Sequence, residues 1–266
     1  MLRGFYTAAS GMITQQRVQE SLSNNIANVN TPGYKADQTA TRSFPELLMH
    51  QIGKTNNVNG FNSSTNRPLG PLSTGVYVQE MMPNFVQGDL KETGVTTDVA
   101  LVPSGLPDED GNLFFTVQNE AGEVRLTRNG NFTVDYQGRL VTNDGYFVLD
   151  QADNQINTFA MEFTVTQEGV IQLPNGENIP LGITYVTNAN ELEKEGNGLF
   201  RGEGVQAPED ARFSVYQGFL ERSNVDAARS MTDMIQAFRL FEINQRVLRA
   251  YDESMGKAVN DIARIG

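Results

Sequence analysis

A chain of 266 residues with 39% hydrophobic content and a formal charge of −12 is long enough for one or two domains with a real core. Its mean hydropathy of −0.38 argues against a membrane-embedded protein, as does the lack of any run near the ~20 apolar residues that span a bilayer. The absence of cysteine excludes disulfides, thiolate metal sites and thiol nucleophiles.

The charge is uneven. Residues 1–35 carry three basic side chains against one acidic, and residues 219–266 carry seven of each. The negative excess therefore sits in 36–218, with ten basic and twenty-four acidic side chains. Such an anionic body repels nucleic acid and anionic membrane surfaces. Near-neutral ends lack that repulsion and suit contact with other subunits.

From the N-terminus, residues 1–35 contain no proline before Pro32. Met1, Phe5, Ala8, Met12, Leu22, Ile26 and Val29 follow alternating steps of four and three, with Gln15 and Gln19 as polar members. That step is the period of a coiled-coil seam and predicts a helix. Thr31-Pro32-Gly33 ends it. The start lacks a basic stretch followed by an unbroken apolar core, so a cleavable signal is not expected.

Residues 36–75 read as an extended arm or linker, polar and rich in Asn, Gly and Pro from His50 onward. Residues 76–218 read as a β-rich domain, with an outer meander over about 101–199. Short β-type runs at 113–117, 124–127, 132–134, 140–142 and 146–149 alternate with glycine turns. Among these, Asn129-Gly130 is the strongest sign of a two-residue hairpin turn. Runs at 76–81, 84–86 and 212–220 suggest a second small sheet. Residues 219–266 predict a C-terminal helix packing with the N-terminal one, through Met231, Met234, Phe238, Phe241, Leu248, Met255, Val259 and Ile262. The expected fold class is α+β: terminal α-helices forming a coiled-coil-like helical domain, with a central antiparallel all-β domain.

Catalytic chemistry is sparse. The single histidine, His50, has no partner at metal-ligand or triad spacing, and no zincin, nucleophile-elbow or Walker pattern occurs. Gly196-Asn197-Gly198 and Gly202-Glu203-Gly204 read as turns, and Asp108-Glu109-Asp110 as a solvated turn rather than a calcium loop. No catalytic, cofactor-binding or metal residue is assigned, and neither enzyme activity nor a cofactor is expected.

The ends also carry motifs. Tyr6-Thr7-Ala8-Ala9-Ser10-Gly11-Met12 and the run from Ser23 through Asn24, Asn25, Asn28, Asn30, Thr31, Pro32 and Gly33 to Tyr34-Lys35 resemble the N-terminal signature of flagellar basal-body rod and hook proteins. Gln217-Gly218-Phe219-Leu220-Glu221-Arg222-Ser223-Asn224-Val225 resembles the matching C-terminal signature. Thr127-Arg128-Asn129-Gly130-Asn131-Phe132-Thr133-Val134 is similar to the shared β domain.

The resemblance implies a non-enzymatic rod subunit, of the distal-rod or a related type. It implies terminal helices that polymerise into a tubular axial structure, torque transmission between motor and hook, and passage through the flagellar type III export apparatus. The implied partners are further copies of the chain and other rod and hook proteins, with no nucleic acid or small-molecule substrate. The implied location is the flagellar basal body, outside the cytoplasmic membrane. Within it, the stripe residues above form the assembly interface, and Asn24, Asn25, Asn28, Asn30, Pro32 and Gly33 form the helix-to-arm junction. Alternatives are a rod–hook-junction member of the family and a secreted surface-binding β module on a helical stalk. One departure from the family pattern is the insertion of Val102-Pro103-Ser104-Gly105-Leu106-Pro107 and the acidic turn between Asp98-Val99-Ala100 and Phe114-Phe115.

Overall fold

The computed structural model describes residues 2–52, 56–58, 61–63, 66–108, 110–119, 121–159, 162–208 and 211–265. The fold is α+β: helix α1 (Leu2–Ala27), antiparallel β-structure, then helix α2 (Ala227–Ile265). The chain divides into two compact units. One comprises Met1–Asn24, Gln38–Met82 and Ala228–Gly266; the other comprises Asn25–Asp37 and Pro83–Ala227.

In the helical unit, α1 and α2 run antiparallel. A Cβ on Gly4 would lie 2.1 Å from the Tyr251 hydroxyl, and one on Gly11 would lie 3.0 Å from Asn244 Nδ2. Seven residues separate the contacts on each helix, in opposite directions, which is heptad packing. The two glycines let the helices approach closely. Met234, Ala237, Phe241, Asn244, Leu248, Tyr251, Met255 and Ala258 accordingly form the covered stripe of α2.

Residues 36–75, read from the sequence as an extended arm or linker, carry paired strands. Asp37–Ser43 pairs with Val76–Pro83, and Leu47–Ile52 pairs with Asn66–Leu72. The base of this segment hangs on α1, where the Thr7 hydroxyl donates to Thr74 O at 2.8 Å and the Thr14 hydroxyl to Val76 O at 3.0 Å. Asn and Pro content masked the pairing, because proline is tolerated on a hairpin with no further strand to serve.

The β-rich unit centres on strand Asn112–Gln118, whose residues 113–117 are all buried. One edge pairs with Val124–Thr127, and the other is shared between Phe147–Val148 and Ile183–Val186. Period-2 alternation then divides the apolar residues between two faces. Leu113, Phe115 and Val117 enter the larger core with Phe132, Leu140 and Ile171, while Phe114 packs with Leu126, Val186 and Phe200. The sheet has nine strands among the described residues, and 164–180 form a separate three-stranded sheet.

Three sequence expectations are corrected here. The N-terminal segment 1–35 is helical only to Ala27, about one turn short of the Thr31-Pro32-Gly33 stop; the C-terminal helix begins at Ala227 rather than 219, because strand Phe219–Glu221 pairs with Leu90–Glu92. The runs at 76–81 and 212–220 do not share a sheet. Arg212–Gln217 instead pairs with Val99–Gly105. Finally, Asn129-Gly130 is no hairpin turn. Val124–Thr127 pairs with Asn112–Gln118 and Leu199–Arg201, whereas Phe132–Val134 pairs with Leu140–Thr142. Gly130 serves close approach: Val99 N–H donates to Gly130 O at 3.0 Å, and a Cβ there would sit 1.7 Å from Val99 O.

Candidate functional site: a buried junction and the exposed helix faces

The junction is built by residues 25–37. After α1 ends, the Thr31-Pro32-Gly33 turn brings the chain against the β-rich core. Gly33 has φ +67 and donates its N–H to Glu221 O at 2.8 Å. A Cβ on it would lie 2.5 Å from the Arg128 backbone, so both conformation and space require glycine.

Two asparagines then clamp the strand that follows. Asn25, buried, accepts Asp37 N–H at 2.8 Å and the Tyr34 hydroxyl at 3.1 Å, and donates to Asp37 O at 2.9 Å. Asn224 accepts Ala36 N–H at 2.7 Å and donates to Asn84 O at 2.7 Å and Val86 O at 3.1 Å. An amide offers donor and acceptor together, so it substitutes for a strand partner. Of the other junction residues, Asn28 O accepts Thr31 N–H at 3.1 Å and Asn28 Oδ1 accepts the Thr31 hydroxyl at 3.1 Å. Asn24 and Asn30 are exposed, and Pro32 is half-buried.

Beneath this segment lies a buried ion triad that sequence reasoning missed. Glu221 takes Lys35 Nζ on Oε1 at 2.6 Å and Arg128 Nη2 and Nε on Oε2 at 2.7 and 3.0 Å. Gly88 N–H adds a bond to Oε1 at 2.9 Å. All three side chains are 1–2% exposed. The triad carries one excess positive charge, which backbone carbonyls offset. Lys35 also donates to Val86 O, and Arg128 donates to Leu101 O, Leu113 O and Gln87 Oε1.

Burial alone would raise the Glu221 carboxyl, but Arg128, Lys35 and the hydrogen bonds to it hold it below the usual carboxylate range. Burial pushes the Lys35 ammonium down to about 8, against the attraction of Glu221 and with the repulsion of Arg128. Burial, then the Asp37 carboxylate, raises the Tyr34 phenol. Beside Tyr34, Lys194 Nζ sits 2.8 Å from Asp37 Oδ1 and 4.3 Å from the ring centroid.

These shifts set a pH dependence. Lys35 titrates near 8 when folded and near 10.5 when unfolded. Between those values the unfolded chain binds more protons, so this group makes stability rise with pH. Tyr34, raised above its ordinary 10.0, makes stability fall above pH 10. The expected result is that Lys35→Met removes the rise between pH 8 and 10 in urea-unfolding titrations. An unchanged pH profile would refute the assignment.

The helical stripes sort differently. Ala8 is buried, and Phe5, Met12, Leu22, Ile26 and Val29 are half-buried; Met1 lies outside the described residues. On α2, Met234, Phe241, Leu248 and Met255 are half-buried on the covered stripe. Met231, Phe238 and Val259 are 53, 52 and 66% exposed, and the side chain of Ile262 lies outside what is described. The covered stripe is offset by one residue at alternate positions: Ala237, Asn244 and Tyr251 take the places of Phe238, Gln245 and Asp252, with Asn244 against Gly11 and Tyr251 against Gly4. Exposed Met231, Ile235 and Phe238 run along one flank of that stripe, and Leu240, Ile243 and Val247 along the other.

Elsewhere, His50 is exposed on the hairpin strand Leu47–Ile52. Among the described residues no cluster of His, Asp or Glu is placed to hold a metal, and no helix is long and apolar enough to cross a membrane. Of the acidic turn, Asp108 accepts the Tyr185 hydroxyl at 2.7 Å, and Glu109 lies outside the described residues.

Three family descriptions match the chain. Residues 5–35 match the flagella basal body rod protein, 110–173 the D1 domain of flagellar hook protein FlgE/F/G, and 216–261 the C-terminal region of flagellar basal body rod FlgEFG protein. Each matched segment supplies one member of the triad: Lys35, Arg128 and Glu221 in turn. Over its full length the chain is 38% identical to the flagellar hook-basal body complex protein FlhO of Bacillus subtilis, which it covers completely. It is 34% identical to the flagellar basal-body rod protein FlgG of Agrobacterium fabrum, over 95% of this chain and 96% of that one. It is 32% identical to the FlgG of Borreliella burgdorferi, over 98% of each. The chain thus belongs to the flagellar basal-body rod and hook family of structural proteins.

Proposed function

We propose that this chain is a subunit of the flagellar rod that self-assembles through its terminal helices into a tubular axial polymer and transmits torque between motor and hook. The observation that carries the reading is the double apolar flank of α2. One face of the helix is already covered by α1, yet Ile235, Phe238 and Ile243 remain 52–55% exposed on both sides of it. Exposed apolar surface of that extent on a long helix calls for further helices as neighbours. Those neighbours are further copies and other axial proteins of the rod and hook, reached after passage through the flagellar export apparatus to a site outside the cytoplasmic membrane. In this reading the stripe residues and their exposed flanks are the assembly interface.

The hairpin of Leu47–Ile52 and Asn66–Leu72 supplies a second contact. Leu47, Leu48 and Leu69 are 57–61% exposed, and since neighbouring strand residues face opposite ways, both of its faces carry leucine. A two-stranded hairpin of this kind is marginal in water on its own and gains from lying on another subunit. A position at the rod–hook junction is the second reading, favoured by the 38% identity to FlhO, a protein named for the hook-basal body complex.

The test is deletion of residues 1–35 from the chromosomal copy. Cells are expected to lose rods and motility. Intact rods and full motility in the deletion strain would overturn the proposal.

A further inference from the structure

Two features of the β-rich unit have no part in the helix contacts. The first is Phe159. Its φ of +51 lies in the left-handed region that bulky side chains rarely adopt, and its side chain is 57% exposed. The strain is enforced from below. Phe159 N–H donates to Asn157 Oδ1 at 2.8 Å, while buried Thr158 donates both its N–H, at 2.7 Å, and its hydroxyl, at 3.0 Å, to Gly138 O. A fixed base thus presents an aromatic ring to solvent, with exposed Glu162 three residues on. Backbone strain held in this way clusters at functional positions.

The second is an open groove of about 520 Å³ beside the junction. Val29, Pro32 and Leu220 give it apolar walls, and Lys91 and Arg222 line it with positive charge. Both basic side chains are exposed, and neither is in an ion pair among the described residues. Glu221 also borders the groove, but its carboxylate is engaged by Lys35 and Arg128.

We propose that the groove receives Phe159 of a second copy of this chain, with Glu162 of that copy facing Lys91 and Arg222. The occupant follows from chemistry. Residues 36–218, which supply most of this unit, carry twenty-four acidic side chains against ten basic, so copies of it repel on net charge, and a basic groove is where an acidic segment of another copy is drawn in. The apolar walls exclude water from the ring, and the charges set its orientation. Phe159 follows strand Phe147–Val148, whereas the groove is formed around Leu90–Glu92 and Phe219–Glu221. Two different patches meeting head to tail propagate instead of closing into a dimer, which is the contact an open helical polymer needs. The inference rests on the self-assembly reading above and adds a specific contact between β-rich units of neighbouring copies.

The test uses the absence of cysteine from the chain. Glu162→Cys and Lys91→Cys are combined in the only copy expressed by flagellated cells, basal bodies are isolated, and mild oxidation is followed by non-reducing electrophoresis. The expected result is a thiol-reversible ladder of dimers, trimers and higher species that neither single variant gives. Adding Phe159→Ala is expected to lower its yield about tenfold. Incorporation into basal bodies without a ladder overturns this contact and leaves self-assembly standing. Absence of the native chain from basal bodies overturns the self-assembly reading itself. Should the thiols prevent incorporation, Arg222→Glu is expected to abolish rods and Glu162→Arg in the same chain to restore them; failure to restore overturns the contact.

Discussion

Glu221→Leu is expected to destabilise the protein by about 3–5 kcal/mol, because it strands two buried cations. Lys35 and Arg128 meet at Glu221 from segments that lie 186 and 93 residues away. Removing the carboxylate leaves two positive charges, each about 1% exposed, facing each other without a counter-ion. The Gly88 N–H also loses its acceptor. The check is the urea-unfolding midpoint at constant slope, which isolates a stability change from a change in compactness. The triple variant Lys35→Met, Arg128→Met, Glu221→Leu is expected to recover much of the loss, since an apolar cluster replaces an ionic one without an unpaired charge. A single-variant loss below about 1 kcal/mol, the scale of an exposed pair, would contradict the triad's role.

The second large effect is on assembly. Phe238→Asp with Ile243→Asp changes two side chains that are 52 and 54% exposed on opposite flanks of the covered stripe. Surface replacements of this kind usually alter stability by no more than about 0.5 kcal/mol each. In a polymer, however, each copy would have to bury two carboxylates without partners, which costs several kcal/mol or prevents assembly outright. The expected outcome is an unchanged unfolding midpoint for the soluble chain and loss of rods in cells. A variant that assembles normally would show that these flanks face solvent in the rod.

The two helices and the β body between them were legible because periodicity is a local property. Leu113-Phe114-Phe115-Thr116-Val117 reads as a buried strand from five residues alone, and it is the centre of the sheet. Pairing across distance was less legible. Asn129-Gly130 has the chemistry of a tight turn, and only the position of Val99 reveals that its glycine is there for contact.

The α2 stripe shows the same limit. Periodicity located the helix, but which of two adjacent residues faces α1 is set by the partner: Gly4 and Gly11 make room for Tyr251 and Asn244, and Ala237 on the same stripe is buried while Phe238 is exposed. Lys35, Arg128 and Glu221 each lie within a motif, yet nothing local says that they meet. Their visible signal was a charged residue inside each of three separate motifs. The junction asparagines were readable as backbone-bonding amides, and Asn25 acts so; its counterpart Asn224 sits in the C-terminal motif.

The most direct measurement is electron microscopy of basal bodies purified from cells in which this chain, fully functional, bears an electron-dense tag in the exposed turn at Gly176. Self-assembly through the terminal helices predicts repeated label along a segment of the rod. Label confined to a single level, or absent from an intact axial structure, would contradict it.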